Sequence, residues 1–294
     1  MNILSRKHIN EIEKCLNQWG SVLNRSKCDK GELMFQHGIV PPLHLRFVDD
    51  WLQIKTDLGI ADGNAQIWSA LTWNGLLDGA AKFSLNPQDR TLRLRAEIPL
   101  EGETDIATDL FLTLTGIERA VSLLHGKDSQ DAHLRPIAVS TPKLHDAEMT
   151  LQELLAETGW TFVERSEGNF VIDLEHKGNF YQALIEHTPE GFRRVSVVLT
   201  DWDTYTPESR AALAVMLLSA SDVIRMVRPV AEQRNDRIVA RFEVHIASRA
   251  NSALLGRGLS ALSVACRYCA REANILNIER IAERYLAIRG IVNE

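Results

Sequence analysis

The sequence predicts an α+β fold written twice: two tandem domains, each running helix, antiparallel strand meander, helix, two strands, helix. Three observations lead there. First, RTLRLRAEIPL (Arg90 to Leu100) and DRIVARFEVHI (Asp236 to Ile246) both alternate apolar and polar residues, as half-buried antiparallel strands do. Both carry Arg-x-Glu on the polar side, Arg95 with Glu97 and Arg241 with Glu243, at an offset of 241 − 95 = 146. Second, the order of elements around the first strand recurs around the second. Third, a polar stretch interrupted by Pro136 and Pro142 separates the copies, which is linker chemistry. The division is therefore 1–126, first domain; 127–147, linker; 148–294, second domain with an extra C-terminal helix. Few residues match between the halves, so order and patterning carry the reading. Duplication is the expectation, and two similar domains of separate origin the alternative.

In the first half, Ile9, Ile12, Leu16 and Trp19 share one face of a helix over 6–19, which Gly20 ends. Strands follow at Glu32 to His37, Leu43 to Val48 and Leu52 to Leu58, the last two joined by Asp49-Asp50. Their connections are too short for helical crossovers, so the strands form a meander. Asn64 caps a helix over 65–82. Asn86-Pro87 turns the chain, Ala81, Phe83 and Leu85 alternate before it, and the quoted strand follows. A helix over 104–125 closes the unit.

The second half restarts with a helix over 149–158 stopped by Gly159. Strands at Trp160 to Glu164, Asn169 to Glu175, Asn179 to His187 and Phe192 to Leu199 are separated by Gly-containing turns. Thr206-Pro207 opens a helix with Thr at the cap and Pro at the first helical position; it extends to about Val227, and Pro229 stops it. A hairpin at 229–234 and 237–246 turns at Asn235-Asp236. Long helix 251–273 follows, and helix 278–288 is the appendage.

This order resembles the type III secretion chaperone fold and the related YbjN-like bacterial domains. GNFVIDLEHKGNFYQALIEHTPEGFRRVSVVLT is similar to the family's meander, RAALAVMLLSASDVIRMVRPVAEQRNDRIVARFEVHI to its middle helix and hairpin, and SALLGRGLSALSVACRYCAREA to its final helix. In the first half LTWNGLLDGAAKFSLNPQDRTLRLRAEIPL follows the same order more loosely. The resemblance implies chaperone-like domains that bind a segment of a protein partner and carry out no chemistry. Family members are mostly homodimers, so two copies in one chain imply an internal pseudo-dimer, a monomer or weak oligomer in solution. The chain departs from the secretion chaperones in length and in its last helix, which weakens a secretion role more than it weakens the fold.

Composition narrows the classes. The chain has 294 residues, 45% apolar and 24% charged, with a formal net charge of −6. That is the make-up of a globular protein. Arg193-Arg194 and Arg225 with Arg228 make only local basic clusters, so no nucleic acid is expected as a partner. The charged N-terminus lacks a signal peptide's apolar stretch and no run approaches the roughly 20 apolar residues of a membrane span, so no membrane is expected and the location is read as cytoplasmic.

No GxSxG, P-loop, GxGxxG or HExxH is present, so no catalytic residue, cofactor or metal is assigned. Cys266 and Cys269 form a lone CxxC inside a helical pattern and read as buried or half-buried helix residues. TDWDTYTPE, with Asp201, Asp203 and Glu208, reads as a solvated loop that caps the next helix. Leu255-Gly256-Arg257-Gly258 reads as close helix packing. His245 reads as a solvated strand residue.

Candidates for contact with a partner are Trp73, Arg93, Arg95, Arg241 and Glu243. Trp68 and Trp73 are five apart and cannot share a narrow helix stripe. The four charged residues read as a polar sheet face beside a groove for an extended peptide. The function expected is that of a non-enzymatic protein-binding module. The alternative is an enzyme or small-ligand sensor with its site between the two domains.

Overall fold

The computed structural model describes residues 3–18, 22–24, 32–37, 40–61, 63–100, 106–126, 149–176, 179–187, 192–247 and 251–291. The linker assigned to 127–147 lies outside the described residues, as do Trp19 and Cys28. The first half runs α1 (Ile3–Gln18), β1 (Val22–Asn24), β2 (Glu32–His37), β3 (Val40–Val48), β4 (Trp51–Ile60), α2 (Asn64–Trp73), β5 (Lys82–Leu85), β6 (Thr91–Pro99) and α3 (Ile106–Leu124). The second runs α4 (Leu151–Thr158), β7 (Phe162–Ser166), β8 (Asn169–His176), β9 (Asn179–His187), β10 (Phe192–Asp201), α5 (Pro207–Val223), β11 (Arg228–Arg234), β12 (Arg237–Ala247), α6 (Ser252–Leu276) and α7 (Glu279–Ile288).

The architecture is α+β with two antiparallel sheets. One sheet has the order β1-β2-β3-β4-β6-β5, and the other, read from its opposite edge, β7-β8-β9-β10-β12-β11. The two orders are the same topology, a four-strand meander with the later hairpin added in reverse. Each hairpin follows a helix, and that helix carries the chain past the sheet edge before the last two strands join.

Two helix ends differ most from the sequence reading. The helix expected over 65–82 stops at Trp73 and tightens into a 3₁₀ turn over Asn74–Leu76. The side chain of Asn74, fully buried, leaves the helix pattern to bind strand backbone: it accepts from Phe83 N–H at 2.7 Å and donates to Phe83 C=O and Pro229 C=O at 3.2 and 3.0 Å. Helix α5 stops at Val223 instead of Val227, and Met226, at φ 65°, takes a left-handed conformation before β11.

Contacts divide the chain into two compact units that do not follow the tandem boundaries. One contains 1–58, 77–82 and 94–148; the other contains 59–76, 83–93 and 149–294. The first unit packs α1 on α3 and α3 on β3. Gly116 of α3 is in close contact with the carbonyl of Asp78, and an added Cβ would also lie 2.9 Å from Ala81 Cβ.

The second unit holds helices of both halves: α2 packs on α5 and on β11. Trp68 stacks obliquely on Trp202, with centroids 5.0 Å apart. Ser84 donates to Asp222 at 2.9 Å, and Ser221 donates to the Phe83 carbonyl at 3.2 Å.

Local chemistry fixes the remaining ends. Thr206 accepts from Ser209 N–H with Pro207 at the first helical position, so the TDWDTYTPE loop does cap α5. Within it Asp201 caps a 3₁₀ turn over Trp202–Thr204 and pairs with Arg237 at 3.3 Å, while Asp203 accepts from Ile238 N–H at 3.0 Å. Thr150 and Glu153 form a reciprocal capping box at α4, and Gly159, left-handed at φ 75°, ends that helix. At Gly258, buried on α6, an added Cβ would meet Ile246 Cδ1 at 2.8 Å, so close helix–sheet packing is the role of that glycine. Cys266 and Cys269 are fully buried on α6, and burial pushes both thiols up to about 12.

Candidate functional site

The second sheet has one face covered by α6, which contacts β8, β9, β10 and β12. Ile172, Ala183, Ile185, Val195, Val197, Phe242 and Val244 are buried there. Side chains alternate across a strand, so the residues between these point to the opposite, open face. Strand register aligns them in rows. One row runs Val163, Val171, Leu184, Ser196, Glu243, Arg228 across all six strands.

The open face has two unlike ends. Over β7 to β10 it is apolar: Val163, Phe180 and Val198 are 63%, 71% and 44% exposed, and Val171 and Leu184 are half-buried among them. Asp173, half-buried, interrupts this strip, receiving a hydrogen bond from Gln182 at 3.4 Å. The strip ends at β7, an edge strand exposed from Val163 to Ser166, with charged Glu164 and Arg165 and a register shift between Glu164 and Ser166.

Over β11 and β12 the same face is a buried ionic network. Glu243 lies 3.4 Å from Arg228 and is paired with Arg241, which reaches Glu232 at 2.7 Å. His245 stands 3.2 Å from Glu243, with Arg228 Nη2 3.0 Å from its Nδ1. Arg228 Nη2 lies against both ring nitrogens, and Nε2 also faces Glu243, so the ring sits between the cation and the carboxylate. Burial, followed by the Arg228 charge, pulls His245 down to about 4. Burial alone would raise Glu243, but the His245 hydrogen bond and the Arg228 and Arg241 charges outweigh it and hold the carboxyl at about 2. Arg194, opposite His245 in the register, pairs with Glu186 at 2.8 Å.

These positions correct the reading of the sequence. Arg241 and Glu243 are 3% and 1% exposed, and His245 is largely buried within the same network. None is a solvated strand residue. Alternation fixed which face these side chains occupy but not whether that face is wet; here ion pairing compensates their burial. Glu97 is likewise buried, 3.0 Å from Lys82 and 3.1 Å from Arg95. Arg93 pairs with Asp222 at 3.3 Å, and Trp73 lies with its ring 5.9 Å from that of Phe83. Trp73, Arg93, Arg241 and Glu243 belong to the second compact unit and Arg95 to the first.

The sequence contained a signal that its reading followed only in part, since it matched Arg95 and Glu97 but not Lys82. Arg228, Arg241 and Glu243 lie 146 positions after Lys82, Arg95 and Glu97. The charge signs match at all three places, so each last hairpin carries the same cation–cation–carboxylate cluster. The apolar strip was harder to see, because Val163, Phe180 and Val198 sit in strands whose alternate residues are also apolar.

Among the described residues, no three His, Cys, Asp or Glu side chains converge in a way that could hold a metal, and no helix is long and apolar enough to cross a membrane.

The fold thus defines a tandem α+β protein with two sheets of common topology, and comparison with known proteins adds little to it. No family model matches the sequence, and no curated protein matches it. Among solved structures, the di-domain ARO/CYC StfQ from the steffimycin biosynthetic pathway is similar at 12% identity over 96% of this chain and 95% of that one. Its TM-score is 0.14, which carries no argument about fold or function.

Proposed function

We propose that this chain is a non-enzymatic protein-binding module of the type III secretion chaperone and YbjN-like kind, acting in the cytoplasm and holding a segment of a protein partner. The observation that supports this reading is the apolar strip Val163–Val171–Leu184 with Phe180 and Val198. The row Val163–Val171–Leu184 is contiguous through the strand register, and Phe180 and Val198 stand on the same face across the Asp173–Gln182 pair, on the side of the sheet that α6 does not cover. Isolated exposed apolar residues are ordinary, but a contiguous group on one face marks an interaction surface. The packing of α2 on α5, helices that occupy the same place in each half, supports an internal pseudo-dimer that stays monomeric in solution.

A photo-crosslinking amino acid at position 180, installed in the full chain in its native cell, tests this. The expected result is a discrete protein adduct that Val163→Glu abolishes. Adducts unaffected by Val163→Glu, or co-purification of a stoichiometric small molecule with no protein adduct, would overturn it.

A further inference from the structure

We infer that the occupant of this strip is a short amphipathic helix with a basic flank; the inference rests on the protein-binding reading above and specifies the partner. Three features lead to it.

The first is the condition of the sheet edge. A peptide that extends a sheet needs a long, flat edge with free backbone groups. Strand β7 is only five residues long, carries Glu164 and Arg165, and has a register shift between Glu164 and Ser166. Short length, charge and bulging are the features that block edge pairing. The partner therefore lies on the face, where it receives no ladder hydrogen bonds. A helix satisfies its own backbone and needs none.

The second is size. From β7 to β10 the strip crosses three strand spacings, about 14 Å at ~4.8 Å each. From Phe180 to Leu184 it runs about 13 Å along one strand. A helix rises about 1.5 Å per residue, so roughly nine residues cover the strip. Layered α+β folds bury apolar sheet faces under helices, and this face has none over β7 to β10 among the element contacts of the described residues.

The third is charge. Asp173 is an acidic residue set among the apolar ones, beside Val171 on the open face and opposite Gln182 in the register. Its contact is the neutral amide of Gln182, whereas Glu186, further along the same face, is already paired with Arg194. A Lys or Arg on the flank of an incoming helix complements Asp173, and an acidic flank is repelled by it.

Three synthetic 14-residue helical peptides test this against the full chain by fluorescence anisotropy. They share one apolar stripe and differ in carrying Lys, Ser or Glu on the flanks. A fourth repeats the Lys peptide with a central proline. The Lys peptide should bind at least about tenfold tighter than the Glu peptide, with the preference shrinking as salt rises. Asp173→Lys should erase the preference while leaving the Ser peptide's binding unchanged, and Phe180→Glu should abolish binding of all four. Equal binding by Lys and Glu peptides overturns the basic flank, and equal binding by the proline peptide overturns the helix. Self-association of the free chain that Phe180→Glu abolishes would instead identify a second copy as the occupant and overturn the inference. If none of the peptides binds while the position-180 crosslink forms as expected, this inference fails and the protein-binding reading stands.

Discussion

The last hairpin of each half places a carboxylate between two cations, yet the two clusters differ in depth and in their further partners. In the first, Glu97 is held by Lys82 and Arg95, and the Arg95 side chain remains 18% exposed. In the second, Glu243 is held by Arg228 and Arg241, with Arg241 only 2% exposed and tied also to Glu232. The position equivalent to His245 is Pro99, and the one equivalent to Glu232 is Asn86. One cluster is thus simple, and the other extends into a five-residue network with an imidazole. The comparison teaches that a matched charge motif preserves position while burial and neighbours set its physical weight.

Removing the central carboxylate should separate the clusters most. Glu243→Ala takes from buried Arg228 and Arg241 the carboxylate they share, a change that costs roughly 3–5 kcal/mol in comparable pairs. Glu97→Ala takes the carboxylate from buried Lys82 but lets Arg95 turn toward water, so it should cost somewhat less, about 2–3 kcal/mol. Urea unfolding of the two variants checks the order. Equal losses would mean that exposure of the second cation is immaterial.

Acid should strike the second cluster through His245. In the unfolded chain an imidazole gains its proton near pH 6.5, and in the fold only near 4. Between those values the unfolded chain binds more protons, so stability falls as pH drops through the window and is unaffected above it. At about 1.4 kcal/mol per unit of difference, the full loss approaches about 3 kcal/mol. Glu243, held at about 2 against 4.5, adds stability that is present above pH 4.5 and lost between 4.5 and about 2. His245→Asn should flatten the loss between pH 6.5 and 4.5 in thermal melts and, because the His245 hydrogen bond helps hold Glu243 down, also shrink the lower limb. Since Pro99 stands where His245 would be, substitutions in the first cluster should not alter the upper limb.

Asn74 distinguishes the halves in another way, for its equivalent position is Ala220. Its amide serves the backbone of β5 and β11 at once, within the second compact unit. Asn74→Ala takes the partner from the buried Phe83 N–H and from the Pro229 carbonyl, which should cost about 2 kcal/mol. Ala220→Asn, lacking such targets, should give no compensating gain. Hydrogen exchange at the Phe83 amide reads the effect directly.

Much of this architecture was legible in the sequence. Strands β2, β8 and β9 follow alternation and turn residues that fix their limits to within a residue, and Thr206-Pro207 marks the start of α5. The missed boundary at Trp73 has a tertiary cause: Asn74 is a tolerable helix residue until β5 and β11 offer it carbonyls. The division into compact units was hidden for the same reason. Segments 59–76 and 83–93 precede the linker in the chain but pack with the second half, and no local periodicity records a neighbour some 150 residues away. The candidate strip was hidden differently. Val163 and Val171 look like core residues, and only the position of α6 decides which side of the sheet stays open.

The smallest expected effect isolates the choice of cation. Lys82 is buried to 1% and meets Glu97 with one ammonium, whereas Arg228 uses its planar guanidinium on Glu243 and His245 together. Arg228→Lys keeps the charge but brings a compact donor group on a thinner stem. It should lose the contact with His245 and cost about 1 kcal/mol, the value of a single hydrogen bond. With the Arg228 charge set further from the ring, the imidazole should also titrate above its present value of about 4, narrowing the acid window from below. Lys82→Arg has no imidazole to meet and must fit a larger head into a filled site, so it should be neutral or destabilising without any change in pH profile. An unchanged His245 titration in Arg228→Lys, followed by NMR of the ring protons, would show that burial alone sets that imidazole.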